Sequence, residues 1–312
     1  MSHPFIERLT TRGHPVVVDG AMGTELFRRG MALDQAAWSA LGAVRRPDLV
    51  RSIHEDYAHA GAEVHITNTF ATSRHILETI GHGDEVKAIN VRAVELCREA
   101  IASAGRAVPG WIAGSVSTYA RGSSRAALPP PPVLRATFGE QCWILAEAGV
   151  DALALEMLLD VDLSLIMAEA AAATGLPYWL GFTCRQAPDG TVVSAAGGYR
   201  GGRDRPFAEV LRDVLAGLPV GGFPIVAVMH NELDVTDGAL DVVVAQWSGP
   251  VVVYPNSGTY LNPGWDFSTV CSPADFVAQA GRWYARGVVA VGGCCGLGPA
   301  HIAALAGSLD GR

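Results

Sequence analysis

The stretch VVVDGAMGTEL, Val16 to Leu26, separates two α/β architectures that open in the same way. Both begin with a short β-branched run, a glycine turn and a helix. A doubly wound nucleotide fold announces itself here with G-x-G-x-x-G, where the glycines let a pyrophosphate approach the helix N-terminus. This turn has Gly20 and Gly23 only, at the wrong spacing. The remaining strands therefore have to decide the fold.

Similar apolar runs recur along the chain at Glu63–Thr67, Trp111–Ser115, Ala152–Glu156 and Tyr178–Phe182. They continue at Ile225–His230, Val251–Tyr254 and Val288–Val291. Near-continuous apolar runs are what a buried parallel sheet requires. Helical patterns lie between them: Val86, Ile89, Ala93, Leu96, Cys97 and Ala100 share one face, and CSPADF offers Ser272 as an N-cap with Pro273 at the first helical position. With the first run these make eight strands alternating with helices, which predicts a single α/β (β/α)8 TIM-type barrel. No linker or internal repeat divides the chain, so residues 1–312 read as one domain. The one low-complexity piece, Ala127–Val133, predicts a stiff polyproline-like loop.

The chain has 312 residues, 49% of them hydrophobic, and a formal net charge of −8. Nucleic-acid binding needs clustered Lys and Arg, and the nearest thing here is RRG at Arg28–Gly30. The N-terminal MSHPFIERLT lacks a signal-peptide core, and no apolar run reaches membrane-spanning length. Six cysteines in a chain of this size do not make a disulfide scaffold. The expectation is a cytoplasmic protein with small-molecule partners, no nucleic acid and no membrane, with a homo-oligomer left open.

Barrel chemistry sits at the C-terminal ends of the strands. Those ends carry Asp19 and Gly20, Thr67, Ser115, Glu156, Cys184, His230, Asn256, and finally Cys294 and Cys295. His230 with the two cysteines is a Cys2His set suited to Zn2+, with the fourth tetrahedral position open. A single cysteine in a glycine turn is ordinary buried filler; an adjacent pair in GGCCG is not. Cys184 and Glu232 are the alternatives should the histidine turn away. Asp19 and Glu156 close apolar strands, where a carboxylate needs a cationic partner such as an α-amino group. Cys97, Cys142 and Cys271 read as structural.

The segments VVVDGAMGTEL, AAWSA, ITNTF, GSV, ALEM, YPNSG and GGCCGLGPAHI run in order from residue 16 to residue 302. In this the chain resembles the homocysteine S-methyltransferase family. The resemblance implies a (β/α)8 barrel, Zn2+, an onium methyl donor (S-methylmethionine-like or another sulfonium or ammonium compound), a thiol acceptor and a place in methionine biosynthesis. It implies metal binding by Cys294 and Cys295, with His230 standing where members carry a third cysteine. It also implies that Asp19 and Glu156 hold the homocysteine amino group, that Gly20, Thr67 and Asn256 line the substrate site, and that Trp38 lies near the donor. From the residue alone, Trp38 reads as helix packing. Met157 and Ala71 stand where betaine-using members place tyrosines, which points away from betaine. The loop Arg121–Pro132 also departs from the family pattern. Zinc-bound thiol is deprotonated, and an onium donor leaves neutral, so neither a separate base nor an acid is required. Two other readings remain: a demethylase-type methyltransferase with another donor and acceptor, and a non-catalytic amino-acid-binding barrel.

Overall fold

A strand enclosed on both sides must be apolar on both sides, because the barrel interior and the helix layer each exclude water. The computed structural model describes residues 3–11, 13, 15–105, 110–119, 128–197, 203–261 and 264–309. In it, eight runs of this kind form β1 (Val16–Val17), β2 (Val64–Ile66), β3 (Trp111–Ser117), β4 (Ala152–Leu158), β5 (Pro177–Phe182), β6 (Phe223–Met229), β7 (Val251–Tyr254) and β8 (Ala290–Val291). They pair in parallel in the order β1–β8–β7–β6–β5–β4–β3–β2. The two ends meet: Val18 bridges Val64, Glu63 N–H donates to Val17 O, and Asp19 N–H donates to Val64 O. The sheet is closed into the expected barrel.

Strand parity divides the core. Val16, Val18, Ala113, Ala152, Ala154, Ala227, Val252 and Ala290 pack inside the barrel. Val17, Leu153, Leu155, Val226, Val228, Val253 and Val291 pack outward against the helices, with Cys97 and Cys142 among them. The short N-terminal helix Pro4–Thr10 adds Phe5 and Leu9 to the interior core, with the Phe5 ring 5.7 Å from that of Trp111. Ser272 caps the helix Pro273–Ala285 as expected, its Oγ accepting from Asp275 N–H at 3.1 Å.

One expectation needs correction. Of the predicted loop, residues 121–127 lie outside the described residues; Pro130 keeps an extended backbone as the N-cap, and the helix Pro131–Glu147 takes in the rest of the stretch, because proline is tolerated in a first helical turn. Two small hairpins, Cys184–Gln186 with Val192–Ser194 and Thr259–Leu261 with Gly264–Asp266, follow β5 and β7 and were not anticipated. Among the described residues no helix is long and apolar enough to cross a membrane.

Candidate functional site

The C-terminal mouth of the barrel opens into a cavity of about 470 Å3. Its lining includes Gly20, Trp38, Thr67, Ser115, Glu156, His230, Asn256, Cys294 and Cys295. One of the predicted site residues, Asp19, is not among the lining residues.

The cysteine turn is held by backbone and side-chain bonds from three directions. Gly292 N–H donates to Val253 O, Gly293 N–H to Asp19 O, and Cys294 N–H to Pro255 O. Cys295 O accepts from Ser257 N–H, while Gly296 N–H donates to Thr24 Oγ1 at 3.0 Å. Gly296 has φ +85°, and a Cβ there would sit 1.8 Å from Ser257 O, so glycine is required. The turn aims both thiols at the end of β6, where His230 takes the left-handed φ of 53°.

His230 Nδ1 lies 3.4 Å from Cys294 Sγ, and Cys294 Sγ lies 4.0 Å from Cys295 Sγ. All three ligand atoms lie within 4.8 Å of one another. Tetrahedral bonds of about 2.3 Å to sulfur and 2.0–2.1 Å to nitrogen would separate sulfur from nitrogen by about 3.6 Å and two sulfurs by about 3.8 Å. The donor set therefore fits one metal ion with little movement. Its electrostatics fit as well. Hydrogen bonding to Cys295, then burial, push the Cys294 thiol well above its ordinary range, so two thiolates here need a cation. Cys184 is buried and its N–H donates to Asn231 Oδ1, but it is not part of this group.

Glu156 reaches the cavity from inside β4, in step with Ala152 and Ala154. The strand register shifts between Leu155 and Leu158, and Met157 takes φ 56°, a bulge that brings Met157 into the same lining. Burial raises the Glu156 carboxyl to about 7, opposed by hydrogen bonds from Ser115 and Tyr254 and by His230. A buried acid poised near neutrality is suited to binding an ammonium group. Thr67 is similarly committed. Thr69 Oγ1 donates to Ser115 O, and Ser115 N–H donates to Thr67 Oγ1, so the Thr67 hydroxyl proton points at Thr69. That leaves Thr67 a lone pair for a substrate donor. Gly20 has no room for a side chain, since a Cβ would meet Leu297 O at 2.4 Å.

Asp19 takes the opposite parity to Val16 and Val18. Its Oδ2 accepts from Ile66 N–H at 3.0 Å and lies 4.0 Å from His54 Nδ1. It is buried with His54 and His65 and is not among the residues that line the cavity, yet Glu156 is near enough to act on it electrostatically. Burial raises Asp19 well above the carboxylate range and lowers His54 to about 3, so charge is disfavoured on both.

Trp38 lies in a turn, not a helix. Its φ is 51°, its backbone exchanges hydrogen bonds with Asp34, and its ring faces Tyr260 at 6.1 Å. Phe70 and Tyr119, 5.7 Å apart, add a second aromatic pair to the lining. Sequence reasoning missed Tyr254 and this aromatic wall. Strand alternation places Tyr254 inward with Val252, but nothing in the sequence marks Tyr119 or Tyr260. Trp38, Met157 and His230 are the non-glycine residues with positive φ among those described, and all three line the cavity. Strain concentrated in this way marks a functional site.

The chain is similar to known proteins over nearly its whole length. Residues 16–309 match the family described as Homocysteine S-methyltransferase. The homocysteine S-methyltransferase of Escherichia coli (strain K12) is 33% identical over 318 residues, spanning 93% of this chain and 94% of that protein. A selenocysteine methyltransferase of Astragalus bisulcatus is 29% identical, spanning 95% and 93%. The crystal structure of the E. coli homocysteine methyltransferase MmuM in its metallated form superposes with a TM-score of 0.77 at 30% identity, covering 98% of this chain and all of that one. The chain belongs to the homocysteine S-methyltransferase family.

Proposed function

We propose that this protein transfers a methyl group from an onium donor to the thiol of homocysteine or a closely related acceptor, with Zn2+ held by His230, Cys294 and Cys295. The observation that carries the reading is the convergence of these three ligand atoms within 4.8 Å in a cavity that also presents Glu156. An ion held by these residues would supply the positive charge that favours the thiolate form of an acceptor thiol at neutral pH.

The chain's own residues do the positioning. Glu156 takes the acceptor ammonium, and Thr67 and Asn256 offer further acceptor atoms to it. Gly20 lets the acceptor backbone approach the floor. Asp19, behind the cavity wall, braces β2 through Ile66 N–H. Trp38 and Tyr260 form the face for the onium group, a cation–π contact of about 0.5–2 kcal/mol. Holding thiol and methyl carbon in line in a dry cavity removes much of the entropic cost of meeting. A sulfonium or ammonium donor departs as a neutral molecule, so no proton has to be delivered. Imidazole in place of a third thiolate leaves the site one unit more positive, which lowers the acceptor thiol's pKa and its intrinsic nucleophilicity together.

The test is a methyl-transfer assay with metal-loaded protein, homocysteine and a panel of sulfonium and quaternary ammonium donors. Methionine should form with at least one donor and should be lost in Cys295→Ala. Homocysteine binding with no transfer from any donor would refute the reading.

A further inference from the structure

Two large aromatic side chains fill the barrel interior below the cavity, and the methyl transfer gives neither a task. Trp179 on β5 is 1% exposed, packs among the inward residues and is not part of the cavity lining. Its ring lies 6.3 Å from that of Phe5 on the N-terminal helix and 6.2 Å from that of Tyr254, at 64° to the latter. Tyr254, at the end of β7, is equally buried but does reach the lining. Gly181, two residues along β5 from Trp179, makes the room. A Cβ there would meet Tyr254 Oη at 3.0 Å and Leu155 O at 2.9 Å.

Trp179 Nε1–H donates to Tyr254 Oη at 3.1 Å. An indole nitrogen can only donate, so the direction of this bond is fixed and one lone pair of the phenol oxygen is taken. The phenol proton is left for Glu156, with which Tyr254 shares a hydrogen bond. An ionised carboxylate can only accept, so the order Trp179, Tyr254, Glu156 runs one way. From β3, Ser115 Oγ donates to Glu156 Oε2. Two hydroxyl donors on two strands thus hold one buried carboxylate. The charged groups that also act on Glu156 are His230 from β6 and Asp19 from the end of β1, while Cys294 acts on Tyr254. A buried carboxyl without such donors keeps its proton and has no charge to offer an ammonium.

We propose that Trp179 is a positioning residue for acceptor binding: its N–H turns the Tyr254 hydroxyl onto Glu156 and so keeps that carboxylate oriented and charged for the acceptor's ammonium group. The proposal rests on the methyl-transfer reading above and adds to it a residue outside the cavity. Indole packing alone would stabilise the barrel without favouring one ligand over another. The relay makes loss of the N–H specific to ligands that carry an amine.

The test compares two ligands in three proteins. Metal-loaded wild type, Tyr254→Phe and Trp179→Phe are titrated calorimetrically at neutral pH with homocysteine and with γ-mercaptobutyrate, the same thiol acid without its amine. Tyr254→Phe removes one oxygen and should weaken homocysteine on the order of tenfold, as expected for losing one hydrogen bond to a charged group. Trp179→Phe keeps a ring but not the donor, and should weaken homocysteine about three- to fivefold. In both variants γ-mercaptobutyrate should lose less than about twofold, and bound metal should be unchanged. Equal loss for both ligands in either variant would overturn the proposal, since that is what a merely structural role predicts. Wild-type homocysteine affinity in Trp179→Phe would overturn it as well. Wild-type protein that binds the two ligands equally would instead refute the placement of the ammonium on Glu156, and the proposal with it.

Discussion

Glutamine at position 156 separates two consequences of one buried carboxyl. In the folded protein burial raises Glu156 from 4.5 to about 7. The unfolded chain ionises near 4.5, so between these values the native state holds the extra proton. The stability this contributes is fully present below pH 4.5 and is lost as pH rises through about 7. The interval, 7 − 4.5 = 2.5 units, corresponds to about 3 kcal/mol at 1.36 kcal/mol per unit. Glutamine does not ionise. Glu156→Gln should therefore gain on the order of 3 kcal/mol over wild type between pH 4.5 and pH 8. Urea unfolding of both proteins at the two pH values reads this difference directly, since other titrating groups cancel. Acceptor binding should move the other way. Leaving a buried ammonium unpaired costs about 3–5 kcal/mol, so the Kd for homocysteine at pH 8 should rise on the order of 100-fold or more. Parallel stability profiles for the two proteins would refute the assignment of a buried carboxyl titrating near 7. Unchanged homocysteine affinity would remove Glu156 from the acceptor site.

Other perturbations follow from the same geometry. His230→Ala should weaken metal binding by tenfold or more in a chelator competition, as about expected for losing one of three ligands, whereas His230→Cys should retain the metal. In wild type, acceptor affinity should rise as pH increases through about 7, because Glu156 gives up its proton there, and that step should be lost in Glu156→Gln, leaving only the dependence that comes from ionising the acceptor thiol. Trp38→Ala should raise the donor KM by about 2- to 30-fold, matching the loss of a cation–π contact, with metal content intact. Gly296→Ala should lower both thermal stability and metal affinity, since its Cβ would meet Ser257 O and its φ is positive; wild-type melting would show that the turn can adjust.

Much of this was legible in the sequence because strand ends in a barrel converge on one rim. Eight apolar runs gave the order of polar residues around that rim, and the pairing of Cys294 and Cys295 in a glycine turn gave the metal candidate. Parity was the signal left unused. Val16 and Val18 face inward, so Asp19 faces out, while Ala152, Ala154 and Glu156 share the inner face. Reading each strand by alternation would have separated the two carboxylates beforehand. Trp38 was less accessible: its place depends on a left-handed backbone in a turn, which tryptophan does not advertise. The post-β7 hairpin carrying Tyr260 has strands of three residues, too short for a period to register. The bond from Asn256 to Glu232 joins two loops 24 residues apart and leaves no local pattern at all.

The central claim is that an ion held by His230, Cys294 and Cys295 receives the acceptor sulfur. Zinc-edge X-ray absorption of freshly purified protein, before and after homocysteine is added, addresses it most directly. The account predicts about one zinc per chain, two sulfur neighbours near 2.3 Å with lighter ligands near 2.0–2.1 Å, and a third sulfur once homocysteine is present. A sulfur count that stays at two on saturation with homocysteine, or protein that takes up no zinc, would contradict it.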